Sequence, residues 1–117
     1  MVEINAAYPV ELPEDTLTNL KFAAAREHDE LDNLYPSFAD VADEEGFPKI
    51  AAAFRMIDKA ETAHFNRFTK LAKNIEKGKV FKKDEVVLWK YGNCGFILEW
   101  AEAPLKCPAC LHPQSYF

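Results

Sequence analysis

A fourth cysteine is missing. The 117-residue sequence carries three, Cys94, Cys107 and Cys110, all in its last quarter. An odd number gathered at one end cannot supply the paired disulfide framework of a small secreted domain, so metal-holding thiolates in a reducing compartment fit better. Long apolar runs are missing as well. No stretch approaches the roughly twenty residues of a membrane span, and the start MVEINAAYPVELPED has neither a basic head nor an apolar core. The expected protein is soluble and cytoplasmic, with no membrane partner. Basic excess is lacking too: 19 acidic against 14 basic residues leave a formal charge of -5, which argues against a nucleic-acid partner. The lysines at 70, 73, 77, 79, 82 and 83 form a local run that reads as the solvated end of a helix, where cations meet the dipole favourably. With 49% hydrophobic residues the chain is not disordered and makes one small globular unit or two very small ones.

The cysteines that are present are informative. CPAC gives Cys107 and Cys110 the two-residue spacing that lets adjacent thiolates face one ion, and Cys94 supplies a third. A symmetrical four-sulfur site would place its remaining cysteine at position 91, which holds Tyr91. That corner can be filled by the phenolate, by water or another ligand, or by nothing; alternatively Tyr91 is a buried structural residue. Thiolates alone do not decide between iron and zinc. A segment this short, rich in aromatics (Trp89, Phe96, Trp100, Tyr116, Phe117), needs an ion or a crosslink to fold.

Upstream, an extended, proline-marked lead-in (YPVELPED) precedes a helix from about Thr16 to Leu34, with Asp15 or Thr16 as N-cap. Leu17, Leu20, Ala24, Glu27, Leu31 and Leu34 step by three and four along one seam, which Glu27 interrupts, and Glu30 flanks the same face. Pro36 is expected to kink or break this helix. SFADVADEEG continues as helix, Gly46 caps it, and Pro48 opens a long helix to about Glu76. The seam of that helix reads Ile50, Phe54, Ile57, Glu61, His64, Phe68, Leu71 and Ile75.

A single polar residue on such a seam is ordinarily a hydrogen-bonded or surface-facing side chain. Three on two seams are different, because burying unpartnered carboxylates costs several kcal/mol and Arg26 and Lys59 lie beside the seams rather than on them. A bound metal resolves the conflict. Two helices also cannot enclose a core between them, so a second copy in a twofold dimer is the economical way to complete a four-helix bundle. Carboxylate-bridged di-iron bundles take a Glu from each of two helices and Glu-x-x-His from each of the others. Glu27 with ETAH (Glu61, His64), doubled, supplies that set, and Glu30 adds a spare carboxylate.

These residues resemble the rubrerythrin family. DTLTNLKFAAAREHDELDNLYPSFADVADEEGF is similar to the third helix of that family's ferritin-like bundle and IAAAFRMIDKAETAHFNRF to the fourth. GKVFKKDEVVLWKYGNCGFILEWAEAPLKCPACLHPQSYF is similar to its rubredoxin-like tail, whose CPxCxHPQxYF ending is specific. The resemblance implies a mainly α fold: a helical hairpin over residues 1–78 that forms a ferritin-like four-helix bundle by dimerisation, then a small rubredoxin-like β metal domain over 79–117. It places Glu27, Glu30, Glu61 and His64 on the di-iron ligand positions, where they would also be the catalytic residues. Cys94, Cys107 and Cys110 fall on three of four sulfur positions, and His112 just outside the ligand set. The implied cofactors are a di-iron site shared across the homodimer and iron or zinc at the three-cysteine site. The implied activity is reduction of hydrogen peroxide in oxidative-stress defence, with electrons from a redox donor protein. Tyr35 could hydrogen-bond a ligand carboxylate, although packing explains it almost as well; His28 lies beside the seam and reads as exposed. The competing functions are a non-enzymatic iron-binding or storage protein with a structural metal clip, and an interaction module with basic partners.

Overall fold

The computed structural model describes residues 14–117 together with Met1, Glu3 and Asn5. Most of the lead-in YPVELPED lies outside the described residues. The chain divides into two compact units, residues 1–69 and 70–117.

The first unit is a helical hairpin. Asp15 caps helix α1 (Thr16–Asp29) by accepting the Thr18 N–H at 2.8 Å, which also holds its carboxyl below the usual range. Pro36 was expected to kink or break the helix, with helix resuming after it, and the path continues through a local irregularity. Residues Glu30–Leu34 form a π-turn, and helix α2 (Tyr35–Glu44) follows with Pro36 in its first turn. The Tyr35 N–H reaches back five residues to the Glu30 carbonyl, and the Ser37 hydroxyl donates to the Leu34 carbonyl at 2.8 Å. A proline has no N–H to donate and its ring crowds the preceding turn, so a wider turn accommodates it at less cost than a break.

The extra residue in that turn shifts the inward face by one position. Up to Leu34 the half-buried stripe is the expected one, Leu17, Leu20, Ala24, Glu27, Leu31 and Leu34. Beyond it the buried residues are Ala39 and Ala42, whereas Phe38 and Val41 are exposed. Gly46, at φ +82, then closes the helix: the Phe47 N–H returns to the Ala42 carbonyl at 2.7 Å and the Gly46 N–H to Asp43 at 3.1 Å. The chain turns directly into helix α3 (Pro48–Glu76).

The two arms meet through Ala39, Ala42 and Ala51, with Phe54 packed against them. Phe54 also meets the rings of Phe38 (5.4 Å) and Tyr35 (6.2 Å). Arg55 ties α3 to α2 by an ion pair with Asp43 at 2.7 Å; at an exposed site this contributes little. The expected seam of α3 needs correction. Ala51, Phe54, Asp58, Glu61, Phe65, Phe68, Ala72 and Ile75 are buried or half-buried, while Ile50, Ile57, His64 and Leu71, spaced by seven, are exposed. Helix α3 thus carries two apolar stripes, and the hairpin covers only one.

The second unit holds a two-stranded antiparallel sheet, β1 (Lys82–Lys90) and β2 (Ile97–Glu102), with Trp89 opposite Leu98 and an irregularity between Lys82 and Val87. Trp89, Tyr91, Ala103 and Cys107 form its buried centre, and a 3-10 turn (Gln114–Tyr116) closes the chain over them. Among the described residues no helix is long and apolar enough to cross a membrane.

Alanine at the helix crossing sets how closely the arms approach, so added volume there should act as overpacking. Ala51→Leu is expected to destabilise the metal-free protein by about 1–3 kcal/mol in urea unfolding, and the exposed Ala52→Leu by no more than about 0.5 kcal/mol. Equal effects would place the helix contact elsewhere.

Candidate metal centres

Helices α1 and α3 bring three of the four expected bundle ligands together. Donor atoms of Glu27, Glu61 and His64 all lie within 4.8 Å of one another. His64 Nδ1 is 2.7 Å from Glu61 Oε2 and 3.5 Å from Glu27 Oε2. The three-residue step from Glu61 to His64 puts both on one face of α3, and Glu27 faces them from the last turn of α1. Glu61 is buried, Glu27 nearly so, and His64 opens toward the uncovered stripe of α3 with 46% of its side chain exposed.

This grouping has an electrostatic deficit. Glu27 Oε2 is buried without a hydrogen-bond partner. Desolvation, with the hydrogen bond and negative charge of Glu61 behind it, pushes the Glu27 carboxyl above its ordinary range; His64 opposes the shift and Glu30 adds to it. The imidazole is one cation at most for two carboxylates. A further positive charge between these donors would satisfy the orphaned oxygen and relieve the repulsion.

Glu30 stands at the edge of the group. It opens the π-turn, its carboxylate lies 4.0 Å from Arg26, and it adds negative potential at Glu27 and Tyr35. Tyr35 lies within the same field, its phenol raised by desolvation and then by Glu30, Glu61 and Glu27. His28 is exposed, paired with Asp32 at 3.1 Å and edge-on to Phe65. One residue escaped sequence reading. Asp58, one turn before Glu61, has a buried Oδ1 without a partner and lines a cavity of about 200 Å³ with Pro36, Asp40 and Arg55. Its signal was the spacing of three from Glu61, masked because alternate positions of the α3 seam were read one residue early, Ile57 in place of Asp58.

The second centre lies in the tail. Sulfurs of Cys94, Cys107 and Cys110 lie within 4.8 Å of one another, Cys94 and Cys107 at 3.6 Å. Two matching turns present them. In one the Gly95 N–H donates to the Tyr91 carbonyl at 2.9 Å, and in the other the Leu111 N–H donates to the Cys107 carbonyl at 2.9 Å. Both turns end at positive φ, +77 at Gly95 and 61 at Leu111. Glycine adopts that conformation freely; leucine there carries strain. Tyr91 therefore occupies the backbone position equivalent to Cys107.

Its side chain has other commitments. The Tyr91 hydroxyl donates to the Pro113 carbonyl at 3.2 Å, and the ring, fully buried, stacks on Tyr116 at 5.7 Å and meets Phe117 edge-on at 4.8 Å. Desolvation, helped by the nearby Cys110 and Cys107, pushes the phenol up to about 12. His112 Nδ1 bonds the Cys110 carbonyl at 3.0 Å, and its ring packs on Tyr116. The thiols differ sharply. Desolvation opposes ionisation of Cys110, but the His112 backbone N–H and the neighbouring thiols outweigh it and bring Cys110 to about 6. For Cys94 the Phe96 backbone favours the thiolate, yet desolvation and hydrogen bonds to Cys110 and Cys107 raise it overall.

Family models match both halves of the chain: Rubrerythrin over residues 2–72 and the rubrerythrin rubredoxin-like domain over 89–117. The chain is 88% identical over 116 residues to a rubrerythrin of Clostridium perfringens, covering 99% of this chain and 60% of that protein. It is 56% identical to rubrerythrin-1 of Clostridium acetobutylicum, with 99% and 60% covered. Among solved structures it is similar to nigerythrin in a mixed-valence state (TM-score 0.52, 28% identity), covering 97% of this chain and 51% of that one. The chain thus spans about 60% of the length of these curated relatives.

The raised Glu27 carboxyl sets a pH dependence. A group whose folded pKa exceeds its unfolded value binds protons more tightly when folded, so its contribution is present at acid pH and lost as pH rises through the folded pKa. Metal-free protein should therefore lose stability as pH climbs from about 4.5 toward neutrality, and Glu27→Gln should flatten that loss. Thermal melts across pH 4 to 8 on both proteins check this, and an unchanged slope in the variant would clear Glu27 of the effect.

Proposed function

The chain belongs to the rubrerythrin family, and from that premise we propose that it is a hydrogen-peroxide reductase of oxidative-stress defence, its bundle completed by a second copy of itself. The family carries a di-iron bundle and a sulfur-ligated iron, and the donors here suit iron: carboxylates with imidazole in one place, thiolates in the other. The observation that carries the reading is the orphaned Glu27 oxygen beside Glu61 and His64, a negative pocket whose donors suit a cation.

One hairpin offers Glu27, Glu61 and His64, with Glu30 in reserve. Two such sets make the two-metal complement of Glu from two helices and Glu-x-x-His from the other two. The exposed stripe of α3 is what a second hairpin would cover. Ile50 (49% exposed), Ile57 (38%) and Leu71 (44%) flank His64 on it, so the uncovered apolar surface and the half-open site share one face. A bound iron pair supplies the two electrons that, with two protons, turn one peroxide into two waters. Glu27, Glu61 and His64 would hold the metals. Glu30, at the edge of the group and 4.0 Å from Arg26, would be a further ligand. Tyr35, whose phenol lies in the field of Glu30, Glu61 and Glu27, can orient a carboxylate. A redox donor protein would deliver electrons through the tail.

The second reading is a non-enzymatic iron-binding protein with a structural clip. One observation favours it: Tyr91 stands where a symmetrical site has its fourth sulfur, with its hydroxyl on Pro113. Iron held by three thiolates and a non-sulfur ligand differs in charge and softness from a four-thiolate centre and passes electrons less readily; zinc passes none.

Three outcomes decide between them. Sedimentation should show a dimer, and iron titration should load two ions per dimer into the bundle. Reduced, iron-loaded protein given excess peroxide anaerobically should oxidise, and His64→Ala should lower its turnover at least about tenfold while His28→Ala leaves it unchanged. Iron that stays ferrous under peroxide would sink the reductase reading. Tyr91→Cys should give a four-thiolate iron spectrum and faster electron delivery to the bundle; identical spectra would show that residue 91 does not govern the site.

A further inference from the structure

We propose that Cys94 and Cys107 form a peroxide-driven disulfide that dismantles the sulfur site. The two sulfurs are 3.6 Å apart, Cys94 is exposed, and Cys107 is fully buried beneath it. An exposed thiol backed by a buried one is the arrangement of an attacking and a resolving cysteine. Cys110 completes the trio, its Sγ within 4.8 Å of both other sulfurs and 3.9 Å from the Asn93 amide.

The departure at position 91 gives the pair its consequence. In a four-thiolate site each sulfur holds a quarter of the coordination, and a disulfide still leaves two ligands. Here three thiolates would hold the ion, the Tyr91 hydroxyl being bonded to Pro113, and one disulfide would leave Cys110 alone. A single thiolate does not retain a metal that required three. Oxidation of one pair therefore switches the site off completely.

The chemistry balances with peroxide as the oxidant. The exposed Cys94 sulfur attacks one peroxide oxygen, the O–O bond breaks, and the departing hydroxide takes one proton from solvent to leave as water. The Cys107 sulfur then attacks Cys94, the S–O bond of the sulfenic acid breaks, and the departing hydroxide takes a second proton from solvent to become a second water. Two thiols give two electrons to one peroxide. A small dithiol reverses the sequence by exchange. None of these steps uses the bundle, so they hold whether or not the helices reduce peroxide.

The experiment uses the full chain, reduced and zinc-loaded, treated anaerobically with a few equivalents of hydrogen peroxide. Alkylation should find one free thiol in place of three, peptide mapping should join Cys94 to Cys107 within one chain, and dithiothreitol should restore all three. Released zinc should follow the loss of thiols in time. The same result is expected in Glu61→Ala, which separates this chemistry from that of the bundle. Cys94→Ser should leave both remaining thiols open to alkylation after peroxide; if that variant misfolds, the mapping on the parent chain still decides. Three free thiols after treatment, or a link between Cys107 and Cys110 with Cys94 free, would overturn the proposal.

Discussion

Two carboxylates held against each other in a half-buried pocket, with one imidazole between them, set the terms for the helical hairpin. Glu27 and Glu61 come from different helices, so bringing the arms together forces the charges together. Apolar packing at Ala39, Ala42 and Ala51 fixes the approach. The fold therefore spends part of its packing energy in holding a site that would be more stable without its charges, which is the usual sign that stability has been yielded to function. That His64 opens onto the uncovered stripe of α3 gives the same pocket a second unmet requirement.

Much of this was legible in the sequence. The stripe of α1 followed helical periodicity through Glu27 to Leu34, and the structure keeps it. Asp15, Gly46 and Pro48 marked helix ends because each has a specific backbone reason to stand there. Two features were misread, each for its own reason. Periodicity reports which residues are apolar, and it does not say which of two apolar stripes faces the neighbour present in the same chain. On α3 the more apolar stripe, with Ile50, Ile57 and Leu71, was taken for the seam, yet small Ala51 and Ala72 face inward. At Pro36 the missing N–H was recognised, but a π-turn leaves no trace in a spacing pattern fitted to threes and fours.

The tail shows the converse. Its metal-site turns depend on backbone hydrogen bonds and positive φ, not on the side chain at their first position, so the turn at residues 91–95 keeps its form with tyrosine in place of sulfur. Spacing identified the missing ligand. It could not foresee that the phenol would turn into an aromatic cluster and bond the Pro113 carbonyl, because that depends on Tyr116 and Phe117 returning from the chain's end.

The π-turn divides one continuous helix into two phases. Before it, the inward residues address Glu61 and His64; after it, they address Ala51 and Phe54. One added residue is what lets alanines rather than Phe38 and Val41 meet α3. Chain length at this point thus carries information of its own. A loop absorbs such a change by altering its shape, but here tightening the wide turn to an ordinary α-turn with every residue kept would turn each later side chain of α2 by about 100°, exchanging a wall of methyl groups for one of rings. The helix works as a vernier, its two scales offset by one division, and the metal pocket is read on one scale while the hairpin is clamped on the other.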